Sequence, residues 1–304
     1  MNCGSELPCT RPDTFPSSIP HCRTGGDAAT AARADGGGMS LRVSSRFVTA
    51  LFILATCCSL ATVAATKHVL LVVLTHGDDD VSIAPLMARY AAEGHTVYYA
   101  MFTGVQDLAG QEGSPARGEA LCASKALGVR DTFIMRGPAG EGFDAIAAIA
   151  GRLVAIVDQT KPDVIVTWGP DGLTGHPRHI LVSNVVTRVF QQRRLLAFAP
   201  RKLYYIAFPE SRYPGKPDFS RITDEAFGTV TDDLITTTVD GRRFLGQTNA
   251  AITCHTLPQG GYDTNSQWQQ AWLDHTSKTL RGMVFLRRVF PAVGQRETDI
   301  FGGL

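Results

Sequence analysis

The chain has 304 residues, with 29 basic and 28 acidic side chains, a formal charge of +1 and 44% apolar content. That near-neutral balance excludes the electrostatic footprint of a nucleic-acid-binding protein. Its seven cysteines show neither the spacing of a disulfide framework nor that of a zinc finger.

Residues 1–38 are rich in Gly, Ser, Thr and Pro, hold Cys3, Cys9 and Cys22, and end in Gly36-Gly37-Gly38. Without apolar periodicity they cannot bury a core, so a disordered or non-native upstream extension is expected. Residues 39–65 combine Arg42 and Arg46 with an apolar run from Phe47 and a Val63-Ala64-Ala65 end, the pattern of a cleaved secretory signal. Met39 then reads as the true start, and the mature protein as exported, secreted or periplasmic. Two competing readings keep residues 47–65: a membrane anchor, or a lipoprotein modified at Cys57. The remainder, 66–304, suits a single α/β domain. Only Cys122 and Cys254 fall within it, and they read as buried free thiols that an exported protein could pair.

From 68 to 74 the sequence His-Val-Leu-Leu-Val-Val-Leu reads as a buried parallel strand. A helix is expected over 83–92, with Pro85 in its first turn, then a strand over 95–102 and a glycine-bearing loop over 105–115, long enough for a site lid. A helix over 116–127, a short strand at 132–134 and a helix over 143–159 follow. The pattern continues with a strand at 163–168, a helix at 177–192 and a strand at 202–208. Beyond 210 it changes: 221–239 reads as an antiparallel pair, 242–254 as a helix, and the last fifty residues as irregular. The expected fold is α/β, a Rossmann-like sheet of mainly parallel strands flanked by helices, with an added β-hairpin and an irregular C-terminal region. If the chain winds outward from the first strand and returns past it, the first and fourth strands meet at the switch point, where such sheets bind ligands.

Two polar clusters stand where those two strands stop. One is Thr75-His76-Gly77-Asp78-Asp79-Asp80 and the other Gly175-His176-Pro177-Arg178-His179. Alone, the acidic triplet is an ordinary capping turn and His176-Pro177 an ordinary helix start. Together they compose a metal site. His76, Asp79 and His179 are a ligand set that suits zinc, and three protein ligands leave a position open for water, as in catalytic centres. Asp78 is then placed as general base, and His176 as a donor to an oxyanion or leaving group. Trp168 at the rim is a candidate sugar platform, with core packing as its default role. Arg178 is a candidate for a substrate carboxylate or phosphate, and His255 either lines the pocket or is structural.

These clusters resemble the LmbE-like/PIG-L family of zinc-dependent N-deacetylases. That family's first signature usually reads His-Pro-Asp-Asp-Glu, against Gly77 and Asp80 here; its second is usually His-Pro-Asp-His, against Arg178 here. Glu93-Gly94-His95-Thr96-Val97, Ala126-Leu127-Gly128-Val129, Lys161-Pro162-Asp163 and Ala251-Ile252-Thr253-Cys254-His255 extend the similarity over roughly 68–260. The resemblance implies Zn2+ on His76, Asp79 and His179, with Asp78 as base and His176 as electrostatic partner. It also implies removal of an acetyl group from an N-acetylated amino sugar of the N-acetylglucosamine type. Gly77 is expected to loosen the turn that a proline would fix. The expected partner is a small molecule or glycan carrying an N-acetyl group, with no nucleic acid, and a membrane only if 47–65 is retained. Two alternatives remain. One is a Mg2+- or Mn2+-dependent glycosyl or phosphoryl transfer enzyme, for which no Gly-rich phosphate loop is present. The other is an inactive carbohydrate-binding protein.

Overall fold

The computed structural model describes residues 66–105, 107–137, 143–213, 228–257, 265–292 and 294–304. The upstream extension and the apolar run of 39–65 lie outside the described residues, as does 221–227. Seven strands make one sheet: β1 (Val69–Leu74), β2 (Thr96–Thr103), β3 (Asp131–Arg136), β4 (Val164–Thr167), β5 (Lys202–Ile206), β6 (Thr237–Asp240) and β7 (Met283–Phe290). Their spatial order is β3-β2-β1-β4-β5-β7-β6. The first five in that order run parallel, and β7 lies antiparallel to both β5 and β6.

Burial on both faces explains the unbroken apolar run of β1, where pleat alternation divides the side chains between two cores. Leu70, Val72 and Leu74 face one, with α1 (Ala84–Ala92), α2 (Pro115–Ala126) and α5 (Leu245–Cys254); Leu71 and Val73 face the other, with α3 (Phe143–Thr160) and α4 (Pro177–Gln191). A last helix, α6 (Asn265–Asp274), carries Trp268 against Val81 and Ile252. Among the described residues no helix is long and apolar enough to cross a membrane.

The chain winds from β1 to β2 and β3, then returns to place β4 against the other side of β1, with Leu70 opposite Val164 and Val73 opposite Thr167. The switch point therefore falls between β1 and β4, and the loops leaving these two strands are neighbours. Elsewhere the structure departs from the sequence reading in two ways. Among the described residues the antiparallel addition pairs β6 with β7, whose residues fall in the stretch read as irregular, and not two strands within 221–239. No turn signal joins strands so far apart in sequence, so periodicity alone could not pair them. The two cysteines are not buried free thiols either. Cys122 on α2 is exposed, Cys254 at the end of α5 is half-buried, and the two form a disulfide with Cα atoms 5.7 Å apart across a sequence separation of 132.

Candidate metal centre and active site

β1 delivers the first cluster. Thr75 is buried at the strand end, and the chain then turns through His76-Gly77-Asp78 into a 3-10 turn, Asp79–Ser82. Asp79 closes that turn: its Oδ2 accepts from Thr75 N at 2.9 Å and from His76 N at 2.6 Å. With one oxygen engaged by the backbone, Oδ1 is left facing the histidines. It lies 3.6 Å from His76 Nδ1 and 3.4 Å from His179 Nε2, and the two ring nitrogens are 2.9 Å apart.

Donor atoms about 2.0–2.1 Å from a tetrahedral zinc ion stand roughly 3.3 Å from one another. The three separations match that edge length, so these residues fit a zinc ion. The tautomer of His179 fits as well. Its Nδ1 donates to the Gly172 carbonyl at 2.9 Å, which leaves the Nε2 lone pair directed at the other two ligands. Gly172 can present its carbonyl so closely because it has φ +67° and no side chain; a Cβ there would stand 2.9 Å from Ile180 Cγ1 and 3.0 Å from His179 Cβ. Leu173 follows at φ 61°, a strained setting for a non-glycine residue beside a site.

β4 and α4 deliver the second cluster. His176 is the N-cap of α4: its Nδ1 accepts from Arg178 N at 3.1 Å, with Pro177 in the first turn. A neutral ring accepting at Nδ1 carries its proton on Nε2, so His176 is prepared as a donor rather than as a third imidazole ligand. Its ring stands edge-on to His76 with centroids 4.6 Å apart. One ring nitrogen from each of His76, His176 and His179 lies within 4.8 Å of the other two, so the three rings share one small space.

The titration behaviour of the cluster follows from these contacts. Burial lowers the pKa of His76, but the charge and hydrogen bond of Asp79, with Asp78 and Asp107, outweigh it and raise the value to about 9. Burial also works against ionised Asp79, yet His179 and His76 hold its carboxyl well below the usual range. Asp78 goes the other way: burial, reinforced by the charge of Asp79, pushes it up to about 6 against the pull of His255 and His76. Two adjacent aspartates thus become a permanent anion and a group that exchanges its proton near neutrality.

Trp168, Arg178 and His255, each read from sequence as a substrate contact or else a packing, surface or structural residue, are all buried. Trp168 is only 1% exposed and offers no face to a sugar. Its ring stacks on His179 at 4.3 Å and 5°, and its Nε1 donates to Thr75 Oγ1 at 3.1 Å, so it buttresses both loops from behind. Arg178 is buried and donates from Nη2 to the Thr103 carbonyl at 3.0 Å, bracing the end of β2. His255 is buried against Asp80. Its apolar surroundings, and those of Trp168, come from elements far off in sequence, which is why the motif alone could not orient them.

The loop after β2 rests against the first cluster. It carries a 3-10 turn, Leu108–Gly110, capped by Asp107, and Ala109 is buried against Gly77. A Cβ at Gly77 would stand 2.7 Å from Ala109 Cβ. Gly77 therefore admits a close approach rather than loosening the turn, whose shape is held by the two bonds to Asp79. Asp107, which the sequence did not single out, adds its charge beside His76.

Residues 71–190 match the family model described as PIG-L, GlcNAc-PI de-N-acetylase. A 1D-myo-inositol 2-acetamido-2-deoxy-alpha-D-glucopyranoside deacetylase of Streptomyces avermitilis is 29% identical over 299 residues, covering 77% of this chain and 97% of that protein. The enzyme of the same name from Acidothermus cellulolyticus is 30% identical over 285 residues, covering 77% of this chain and 94% of that protein. Among solved structures, the 4-carboxy-2-hydroxymuconate hydratase of Pseudomonas putida KT2440 shares the fold, with a TM-score of 0.52 and 17% identity over 76% of this chain and 99% of that one. With both signatures at the switch point of such a sheet, and with relatives matched over nearly their whole length, the chain belongs to the PIG-L (LmbE-like) family of N-deacetylases.

Proposed function

We propose that this protein is a zinc-dependent amidohydrolase that removes the acetyl group from an N-acetylated amino sugar of the N-acetylglucosamine type, releasing acetate and a free amine. The observation that carries the reading is the triangle of His76 Nδ1, Asp79 Oδ1 and His179 Nε2 with Asp78 beside it. Relatives named as deacetylases of an inositol-linked acetamido sugar support the substrate class. Zinc held by His76, Asp79 and His179 would act as a Lewis acid and lower the pKa of water to about 7.

The protein's own groups supply the remaining chemistry. Asp78, with its pKa near 6, is ionised at neutral pH and takes the proton of the attacking water. His176 donates from Nε2 to the oxygen that gains charge as the amide carbon becomes tetrahedral. Protonated Asp78 then returns its proton to the departing amine, which completes the cycle without an external acid. Export belongs to the same reading: Arg42, Arg46 and the apolar run of 47–65 support a cleaved signal, and a disulfide between Cys122 and Cys254 suits an oxidising compartment.

The test is direct. Protein purified without chelator is analysed for metal and assayed for acetate release from 1D-myo-inositol 2-acetamido-2-deoxy-alpha-D-glucopyranoside and from free N-acetylglucosamine. Zinc near one equivalent, with activity lost to a chelator and restored by zinc, is expected. Acetate release unaffected by metal removal would overturn the mechanism, and release from neither sugar would overturn the substrate class.

A further inference from the structure

The turn that bears Asp78 and Asp79 carries a third carboxylate, Asp80, that the chemistry above does not use. Asp80 and His255 are each only 1% exposed, and His255 Nε2 lies 2.9 Å from Asp80 Oδ1. The two form an ion-paired hydrogen bond in the interior. Ionic pairs buried in this way are commonly no more stabilising than apolar residues of the same volume. Stability alone gives the pair little reason to exist.

His255 itself is held from both sides. The residue before it, Cys254, is bonded to Cys122 on α2. The residue after it, Thr256, donates from its backbone nitrogen to Glu119 Oε1 at 2.8 Å, and its hydroxyl bonds to the same oxygen. Glu119 and Cys122 are three apart on α2 and therefore share a face. From α6, Gln269 Nε2 donates to the His255 carbonyl at 2.7 Å, and Trp268 stands edge-on to the ring at 5.6 Å. His255 is a strut with its base fixed to two helices and its tip on the catalytic turn.

We infer that His255 is a positioning residue: through Asp80 it sets the orientation of the turn that presents Asp78 and Asp79, and the Cys122–Cys254 disulfide holds it in place. This rests on the reading of Asp79 as a metal ligand and Asp78 as the base. Asp79 Oδ2 ties one side of the turn to Thr75 and His76, and His255 holds the Asp80 carboxylate on the other.

The experiment compares the wild-type protein with His255→Leu, His255→Gln, and the Cys122→Ala/Cys254→Ala double variant. Each is checked by far-UV circular dichroism and titrated with Co2+ in the absence of substrate, then assayed for acetate release. His255→Leu is expected to weaken Co2+ binding and lower kcat by about 10- to 100-fold, to shift the visible cobalt bands, and to leave KM within about twofold. His255→Gln keeps a donor near the position of Nε2 and should recover most of both losses, as a purely steric role for the ring would not allow. The double cysteine variant should fall between Leu and wild type. If His255→Leu does not fold, Asp80→Asn reads the same link from the other end and should show the same losses. Wild-type cobalt affinity and kcat in a folded His255→Leu or Asp80→Asn protein would overturn the positioning role, as would a Gln variant as impaired as Leu. Wild-type values in the double cysteine variant would overturn the part assigned to the disulfide. Because cobalt binding is read without substrate, a wild-type protein that hydrolyses neither sugar would remove the functional reading while the metal titration still tests the strut.

Discussion

Asp78 and Asp79 share a turn and yet differ in what they can do with a proton. Asp79 is kept ionised by two histidines, whereas Asp78 has a pKa near 6. Asp78→Asn is therefore expected to retain metal and to lose about 10²- to 10⁴-fold in turnover, as read by zinc content and single-turnover acetate release. The wild-type kcat/KM should fall on acidification through about pH 6, as this base takes up its proton. His76 sets a second dependence. Its folded pKa is raised from 6.5 to about 9. Without metal, its charged form contributes stability that is fully present below pH 6.5 and lost as pH rises through 9. A metal ion needs the same nitrogen unprotonated, so loading at neutral pH should release about one proton per ion. Calorimetric titration in buffers of different ionisation enthalpy measures that number, and loading without proton release would remove His76 from the ligand set.

At the scale of elements, the site depends on how closely a loop from β2 rests on the turn from β1. Gly77→Ala would force its new methyl group against Ala109, and is expected to cost about 1–3 kcal/mol by overpacking. Thermal unfolding of Gly77→Ala, Ala109→Gly and the double variant forms a cycle in which the second change should recover most of the loss. Additive losses would show that the two residues do not meet. This contact was not legible in the sequence, where Gly77 read only as a freer substitute for proline. The parallel strands, their helices and the meeting of β1 with β4 were legible, because buried runs bounded by glycine and proline mark both element and strand end. The nearness of His76 and Asp79 could be read for the same reason, since both residues lie within one turn. What could not be read is what reaches the turn from a distance: the stacking of Trp168 on His179, the carbonyl of Gly172, and the strut from His255.

For the whole molecule, the two ends of the sheet bear different burdens. At the amino end of β5, Lys202 is buried with its Nζ 3.5 Å from Glu297 Oε1 and 2.9 Å from the Ile300 carbonyl. Tyr204, Thr237 and Arg288 also reach the Glu297 carboxylate. Glu297→Ala leaves Lys202 buried without its counter-charge and should cost about 3–5 kcal/mol. Its expected signature is a lowered Tm with unchanged kcat below the transition, because this end is remote from the carboxyl ends of β1 and β4. A matching fall in kcat would show that the two ends are coupled. The meeting of β1 and β4 has one more consequence, for how such a protein can diverge. Every group proposed for the chemistry leaves one of two adjacent strands, so loops that rest neither on the Gly77 turn, as the loop after β2 does, nor on Asp80, as His255 does, can be lengthened, shortened or rewritten without moving those groups. A lineage built on this sheet can change its substrates by insertion in those loops while the reaction centre is inherited intact, whereas a single inserted residue between His76 and Asp79 would abolish both binding and turnover at once.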